Sequence, residues 1–209
     1  MSKPTARSSP FGTFLVVGPT CFFLGILFAS FPYDYNVLWS TPPDREPYFQ
    51  LLENHLKFLH ASPPLIARIL HIVIGTGLLG FIMKLYKPSE ANMLFDGASL
   101  VLYMCGITVY IANIVKGLRL VTAGAYGPDQ GLVQGVGEGG AVDVDSMDIV
   151  GREDSLRVLA ASNTILALVL VGVLVLQAGE WYAQKKEEAE IAEMDRIAEE
   201  KRRGGKKKQ

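Results

Sequence analysis

The stretch ILALVLVGVLVL, residues Ile165–Leu176, decides the class of fold. It carries no charge and no polar side chain, and it lies within a longer apolar run, Leu156 to Ala178, of 23 residues. A bilayer's hydrocarbon core, about 30 Å thick, is crossed by roughly 20 helical residues. The run is therefore long enough to span. Trp181 and Tyr182 follow it, where interfacial aromatics anchor a transmembrane helix.

Three further runs have the same character: Phe11–Phe31 (21 residues), Leu65–Met83 (19 residues) and Phe95–Val115 (21 residues). Lys3 and Arg7 before the first run resemble the basic start of a signal peptide. Signal cores are shorter and end in small residues at a cleavage site. This run ends in Phe31-Pro32-Tyr33-Asp34, so an uncleaved span is expected, kinked where Pro19 removes a backbone donor. Pro63-Pro64 suits the start of the second helix, and Arg68 can snorkel to the interface. Asp96 stands at the edge of the third run. The expected fold is an all-α membrane protein, a four-transmembrane-helix bundle with a charged C-terminal tail.

Lys and Arg are distributed unevenly between the connections. The N-terminal segment (Lys3, Arg7), the connection after the second run (Lys84, Lys87) and the tail together hold 13, against five on the other side: Arg45, Lys57, Lys116, Arg119 and Arg152. The positive-inside rule then places both termini in the cytosol. The expected division is a cytosolic N-terminus over 1–10, a membrane domain over 11–183 with lumenal loops 32–64 and 116–155, and a cytosolic tail over 184–209.

The formal net charge of −1 gives no global signal for nucleic acid. Cys21 and Cys105 sit inside apolar runs, where cysteine is a small packed hydrophobe. No Cys/His spacing matches a zinc site, and no cofactor is expected. The first lumenal segment has a helical pattern in Tyr48, Leu51, Leu52, His55, Leu56 and Leu59 that suits an interfacial helix. The second is rich in glycine and acid, which favours disorder. Its Asp143-Val144-Asp145-Ser146 start resembles a calcium loop, but Met147, Asp148 and Asp154 occupy the remaining key positions, so no calcium site is expected. The tail, 180–209, is more than half charged and reads as a solvated single helix.

Gly75-Thr76-Gly77-Leu78-Leu79-Gly80 matches a dinucleotide fingerprint but lies within an apolar span with no strand before it. Gly77 and Gly80 share a helix face and suit close helix packing, either inside this bundle or against a client helix. His71, Asn113, Ser162, Asn163 and Thr164 fall in the lumenal halves of their spans. They serve either as internal hydrogen-bonding glue or as a polar patch for unpaired groups on another membrane protein. With three histidines and no Ser/His/Asp grouping, no catalytic residue is assigned. Lys206 and Lys207, fourth and third from the end, match a dilysine retrieval signal.

Several strings resemble one fungal family. They are Phe22-Phe23-Leu24-Gly25-Ile26, Phe31-Pro32-Tyr33-Asp34-Tyr35-Asn36, Met93-Leu94-Phe95, Asn113-Ile114-Val115-Lys116-Gly117, Val158-Leu159-Ala160-Ala161-Ser162-Asn163 and Gln177-Ala178-Gly179-Glu180-Trp181-Tyr182. The family is that of the endoplasmic-reticulum (ER) packaging chaperones for amino-acid permeases. The resemblance is ordered, covers most of residues 11–183, and is most specific in Pro32–Asn36. The Gly/acidic segment is longer than in the family and is given no role, and the tail is only weakly similar, so detailed coat contacts are not carried over.

The resemblance implies a non-enzymatic chaperone of the ER membrane. It would help nascent amino-acid permeases to fold and enter COPII vesicles, with the tail near the COPII coat and COPI reading the dilysine. Client-binding candidates are Pro32, Tyr33, Asp34, Tyr35, Asn36, Gly77, Gly80, Asn113, Ser162 and Asn163. A small transporter or channel subunit, or a non-catalytic subunit of a membrane enzyme, is also compatible with the residues.

Overall fold

The structure is a computed structural model that describes residues 10–86, 90–124, 126 and 151–206. The regular structure among the described residues is all helical: α1 (Pro10–Leu38), α2 (Glu46–His60), α3 (Pro64–Leu85), α4 (Glu90–Val109), a π-helical turn (Tyr110–Val115), α5 (Lys116–Ala123) and α6 (Arg152–Lys206). Four stretches are long and apolar enough to cross a membrane: Phe11–Leu38, Pro64–Leu85, Met93–Ala123 and Arg152–Lys201.

The helices run further than the apolar runs. α1 continues through both Pro19 and Pro32 to Leu38. Proline removes a donor without forcing a stop where neighbouring groups re-satisfy the backbone. The carbonyls that lose their N–H donor are those of Leu15 and Phe28; separately, the Asn36 side-chain amide donates to the Pro32 carbonyl at 3.1 Å and the Thr20 hydroxyl to the Val16 carbonyl at 2.7 Å. The third span continues through the π turn into α5. It ends where Gly124 takes a left-handed φ of 62°, a conformation glycine adopts without steric cost. The tail helix is continuous with the fourth span: α6 has 55 residues, about 80 Å of helix.

α1 packs against α3 and α6, and α6 against α4; of the spans that lie side by side, α3 and α4 meet least. The mid-bundle core is Val16, Phe23, Phe81, Tyr103, Leu166, Leu170 and Val173. A second core lies where α2 and α5 cover one end: Val37, Phe49, Leu52, Leu56, Val121, Leu156, Leu159 and Ala160. The helix expected in the first connection is α2, but its face is rotated. Phe49, Leu52 and Leu56 are buried against the protein, whereas Leu51 and Leu59 are exposed. The partner surface, which α1, α5 and α6 supply, selects the stripe. The calcium-like Asp143, Asp145 and Asp148 lie outside the described residues.

Candidate functional site

Polar chemistry gathers at two ends of the bundle. At the first, α3 carries Lys84 in its last turn, α4 carries Asp96 in its second turn, and α6 passes with Gln177 and Glu180. The Lys84 side chain is 0% exposed. Its ammonium lies 2.6 Å from Asp96 Oδ1 and 2.5 Å from Glu180 Oε2, and donates to Gln177 Oε1 at 2.7 Å. The Gln177 amide donates in turn to Asp96 and to the Ser99 hydroxyl, both at 3.2 Å. Gly12 of α1 makes room for the lysine stem, since a Cβ there would stand 2.7 Å from Lys84 Cγ.

Sequence reasoning treated Lys84 as a loop charge and Asp96 as an edge residue. The structure corrects both, because one ammonium and two carboxylates from three helices meet in the interior. The available signal was one ionisable residue at the same-side end of each of three apolar runs.

At the opposite end the ties are looser. Asp34 is 2% exposed. Its Oδ2 accepts a hydrogen bond from the Asn163 amide at 3.0 Å, and its Oδ1 has no partner among the described residues. Tyr33 stacks on His55 of α2, ring centroids 4.1 Å apart. Arg152, at the start of α6, donates to Glu53 at 2.7 Å and to Glu46 at 2.8 Å, which fastens α2 to the fourth span. Arg157 lies 5.6 Å from the Phe49 ring, within cation–π range.

Burial raises the Glu53 carboxyl, but hydrogen bonds and charge from Lys57 and Arg152 outweigh it and hold the pKa below its ordinary value. Burial lowers the His55 imidazole. Tyr126 is pushed up to about 12, first by burial and then by the charge of Glu53.

The candidate residues from sequence do not form one cluster. Asp34 and Asn163 meet directly. Pro32 and Tyr35 are exposed, and Tyr35 forms an aromatic group with Phe31 and Trp39. Ser162 is buried and donates back to the Val158 carbonyl at 2.7 Å. Gly77 and Gly80 lie against this chain's own helices. A methyl on Gly77 would overlap the Tyr103 hydroxyl, and one on Gly80 would stand 2.8 Å from Leu15 Cβ. Gly75 has open space instead. The Tyr103 hydroxyl, seated over Gly77, donates to the Ile74 carbonyl at 3.2 Å and joins α4 to α3.

Asn113 is exposed on the π turn, and its side chain has no hydrogen-bond partner among the described residues. Lys206 ends α6 and Lys207 lies outside the described residues. Among the described residues no group of three His, Cys, Asp or Glu is placed to hold a metal ion. What this arrangement can do is bind, through hydrogen bonds and packing at lipid-facing surfaces.

A family model described as ER membrane protein SH3, the SHR3 chaperones, matches residues 7–209. The Secretory component protein psh3 of Schizosaccharomyces pombe is 24% identical over 197 residues, covering 88% of this chain and 81% of its own length. No solved structure matches the chain. The ordered strings, the four spans and the match over nearly the whole length lead to one conclusion: the chain belongs to the SHR3 chaperone family, non-catalytic ER membrane proteins that assist amino-acid permeases to leave the ER.

Proposed function

We propose that the bundle holds newly inserted permease helices until their own partners arrive, and so keeps permeases foldable and fit for COPII packaging. A permease enters the membrane helix by helix, and early helices present polar and small faces that lipid cannot satisfy. Weak hydrogen bonds to a small bundle, each worth roughly 0.6–2 kcal/mol, would shield such faces yet yield to the client's later helices. No nucleotide is required, because final client packing supplies the driving force.

The observation that carries this reading is the polar character of the end farthest from Lys84, where Asn113 is exposed without a partner and Asp34 is half satisfied. Pro32, Tyr33, Tyr35, Asn36 and Asn163 lie at that end on α1 and α6 and would shape the client-receiving end, with Ser162, buried against its own helix, acting from within it. Gly77 and Gly80 would contribute indirectly, by setting how closely α1, α3 and α4 pack.

The Lys/Arg asymmetry supports a cytosolic Lys84 end and cytosolic termini. α6 would then extend from the membrane toward the COPII coat, with Lys206 and Lys207 available to COPI. Cells lacking the protein should retain amino-acid permeases in the ER while general secretion continues. Normal permease delivery in those cells would contradict the reading.

A further inference from the structure

The α3–α4 seam is unlike the other contacts between spans. The Lys84–Asp96 pair and the Tyr103–Ile74 hydrogen bond close it on one side. Beyond Tyr103 it splays. The backbones of α3 and the π turn do not approach each other closely, while the π turn packs on α6. An apolar recess opens there, lined by Phe23, Ile74, Tyr103, Ile107, Tyr110 and Leu166 among others.

The rim of the recess is polar. The Tyr110 ring meets the edge of His71, centroids 6.2 Å apart. His71 Nδ1 lies 2.6 Å from the Ala67 carbonyl. That oxygen only accepts, so a neutral ring carries its proton on Nδ1 and leaves Nε2 as an acceptor. Nε2 has no partner among the described residues. Asn113, one turn beyond Tyr110, adds an unpaired donor and acceptor. Helix rise puts Asn113 about 25 Å from Asp96, and His71 about 20 Å from Lys84. Both lie within a hydrocarbon core of about 30 Å measured from the ionic network.

Acyl chains can fill the recess but cannot take these hydrogen bonds. A second copy would set the same seam against itself, concave against concave, and fill neither. We infer that the seam between α3 and the π turn is the docking site for a single transmembrane helix of the client permease. That helix would place an apolar side chain in the recess and a hydroxyl or carboxamide against His71 and Asn113. The fit is one of complementary polarity: the seam supplies unpaired polar groups, and an unassembled permease helix needs them. π turns recur at functional sites, and Asn113 is exposed on this one.

This inference rests on the chaperone reading, and one experiment separates the two. A photoreactive phenylalanine is placed in the full-length chain at Ile111, exposed and one turn from Ile107, or at Phe28 or Val175, exposed on α1 and α6. It is irradiated while an amino-acid permease is being made. Permease adducts are expected at Ile111 and not at the other two. Asn113→Leu should lower the Ile111 yield about three- to tenfold, and Asn113→Gln should restore it. Carbonate-resistant insertion of each variant guards against misfolding. Permease adducts at Phe28 or Val175 but not at Ile111 would overturn the seam and leave the chaperone reading standing. Adducts at Ile111 with the mass of two copies of this chain, or with lipid alone, would also overturn it. Adducts to permease at no position, with normal permease delivery in cells lacking the chain, would defeat both.

Discussion

The two ends of the bundle are held together by different physics. At one, Lys84, Asp96, Gln177 and Glu180 form a buried network drawn from α3, α4 and α6. At the other, α2 and α5 form a cap held by apolar packing and by the partly exposed ion pairs of Arg152 on α6 with Glu46 and Glu53 on α2, while one Asp34–Asn163 hydrogen bond ties α1 to α6. A buried charge network is close to all or none: complete, it fixes helix register; broken, it strands a charge in low dielectric. A surface cap can loosen by degrees. The contrast suits a chaperone that needs one rigid end and one end able to receive and release a helix.

Four substitutions or conditions sharpen that contrast. Lys84→Met should have the largest effect, destabilising the bundle by about 3–5 kcal/mol because Asp96 and Glu180 are left facing each other unpaired. Detergent-phase thermal unfolding measures this. Adding Asp96→Asn and Glu180→Gln to Lys84→Met should recover much of the loss, whereas additive losses would mean that the network is not a unit. Gly80→Val comes next, at about 1–3 kcal/mol, since its side chain meets Leu15 Cβ and the Leu15 backbone at 2.8 and 3.0 Å. Disulfide trapping between α1 and α3 should slow in that variant; an unchanged rate would place the close contact elsewhere.

Arg152→Ala breaks the ties to Glu46 and Glu53 and should cost about 1 kcal/mol or less, because the partners are partly exposed. Salt should shrink the difference, and a salt-independent loss would argue against an ionic origin. The smallest effect is acid sensitivity of the cap. His55 has its pKa lowered by burial from its ordinary 6.5, so folding favours the neutral ring. Its contribution is complete above that ordinary value and is lost as pH falls through it toward the folded value. Glu53, also lowered, adds a loss at still lower pH, as the carboxylate protonates below its ordinary 4.5. Protease nicking of α2 should therefore rise on acidification from pH 7.5 to 5, and less so in His55→Phe. Equal pH profiles would remove His55 from the account.

The same contrast explains what could be read from sequence. The four spans were legible because span length is a one-dimensional property: Ile165–Leu176 and its counterparts announce themselves without reference to any neighbour. Gly77 and Gly80 were legible as close-packing residues because helix periodicity alone puts them on one face. The family was legible in Phe31–Asn36 and in Gln177–Tyr182. The Lys84 network was not legible. Its lysine lies 12 residues from Asp96 and 96 from Glu180, and each of the three looked like an ordinary boundary charge. α2's buried stripe was misjudged for a related reason, since Phe49 rather than Leu51 faces the partner surface and only the positions of α1, α5 and α6 decide that. The π turn at Tyr110–Val115, which packs on α6, left no local signal in the apolar run.

The central claim is that this bundle keeps unassembled permease helices from aggregating. The most direct measurement is the size of a newly made amino-acid permease in ER membranes, by native gel electrophoresis, with the full chain present and with it absent. The account predicts a discrete species when the chain is present and high-mass aggregates when it is absent. A permease of the same discrete size in both membranes would contradict it.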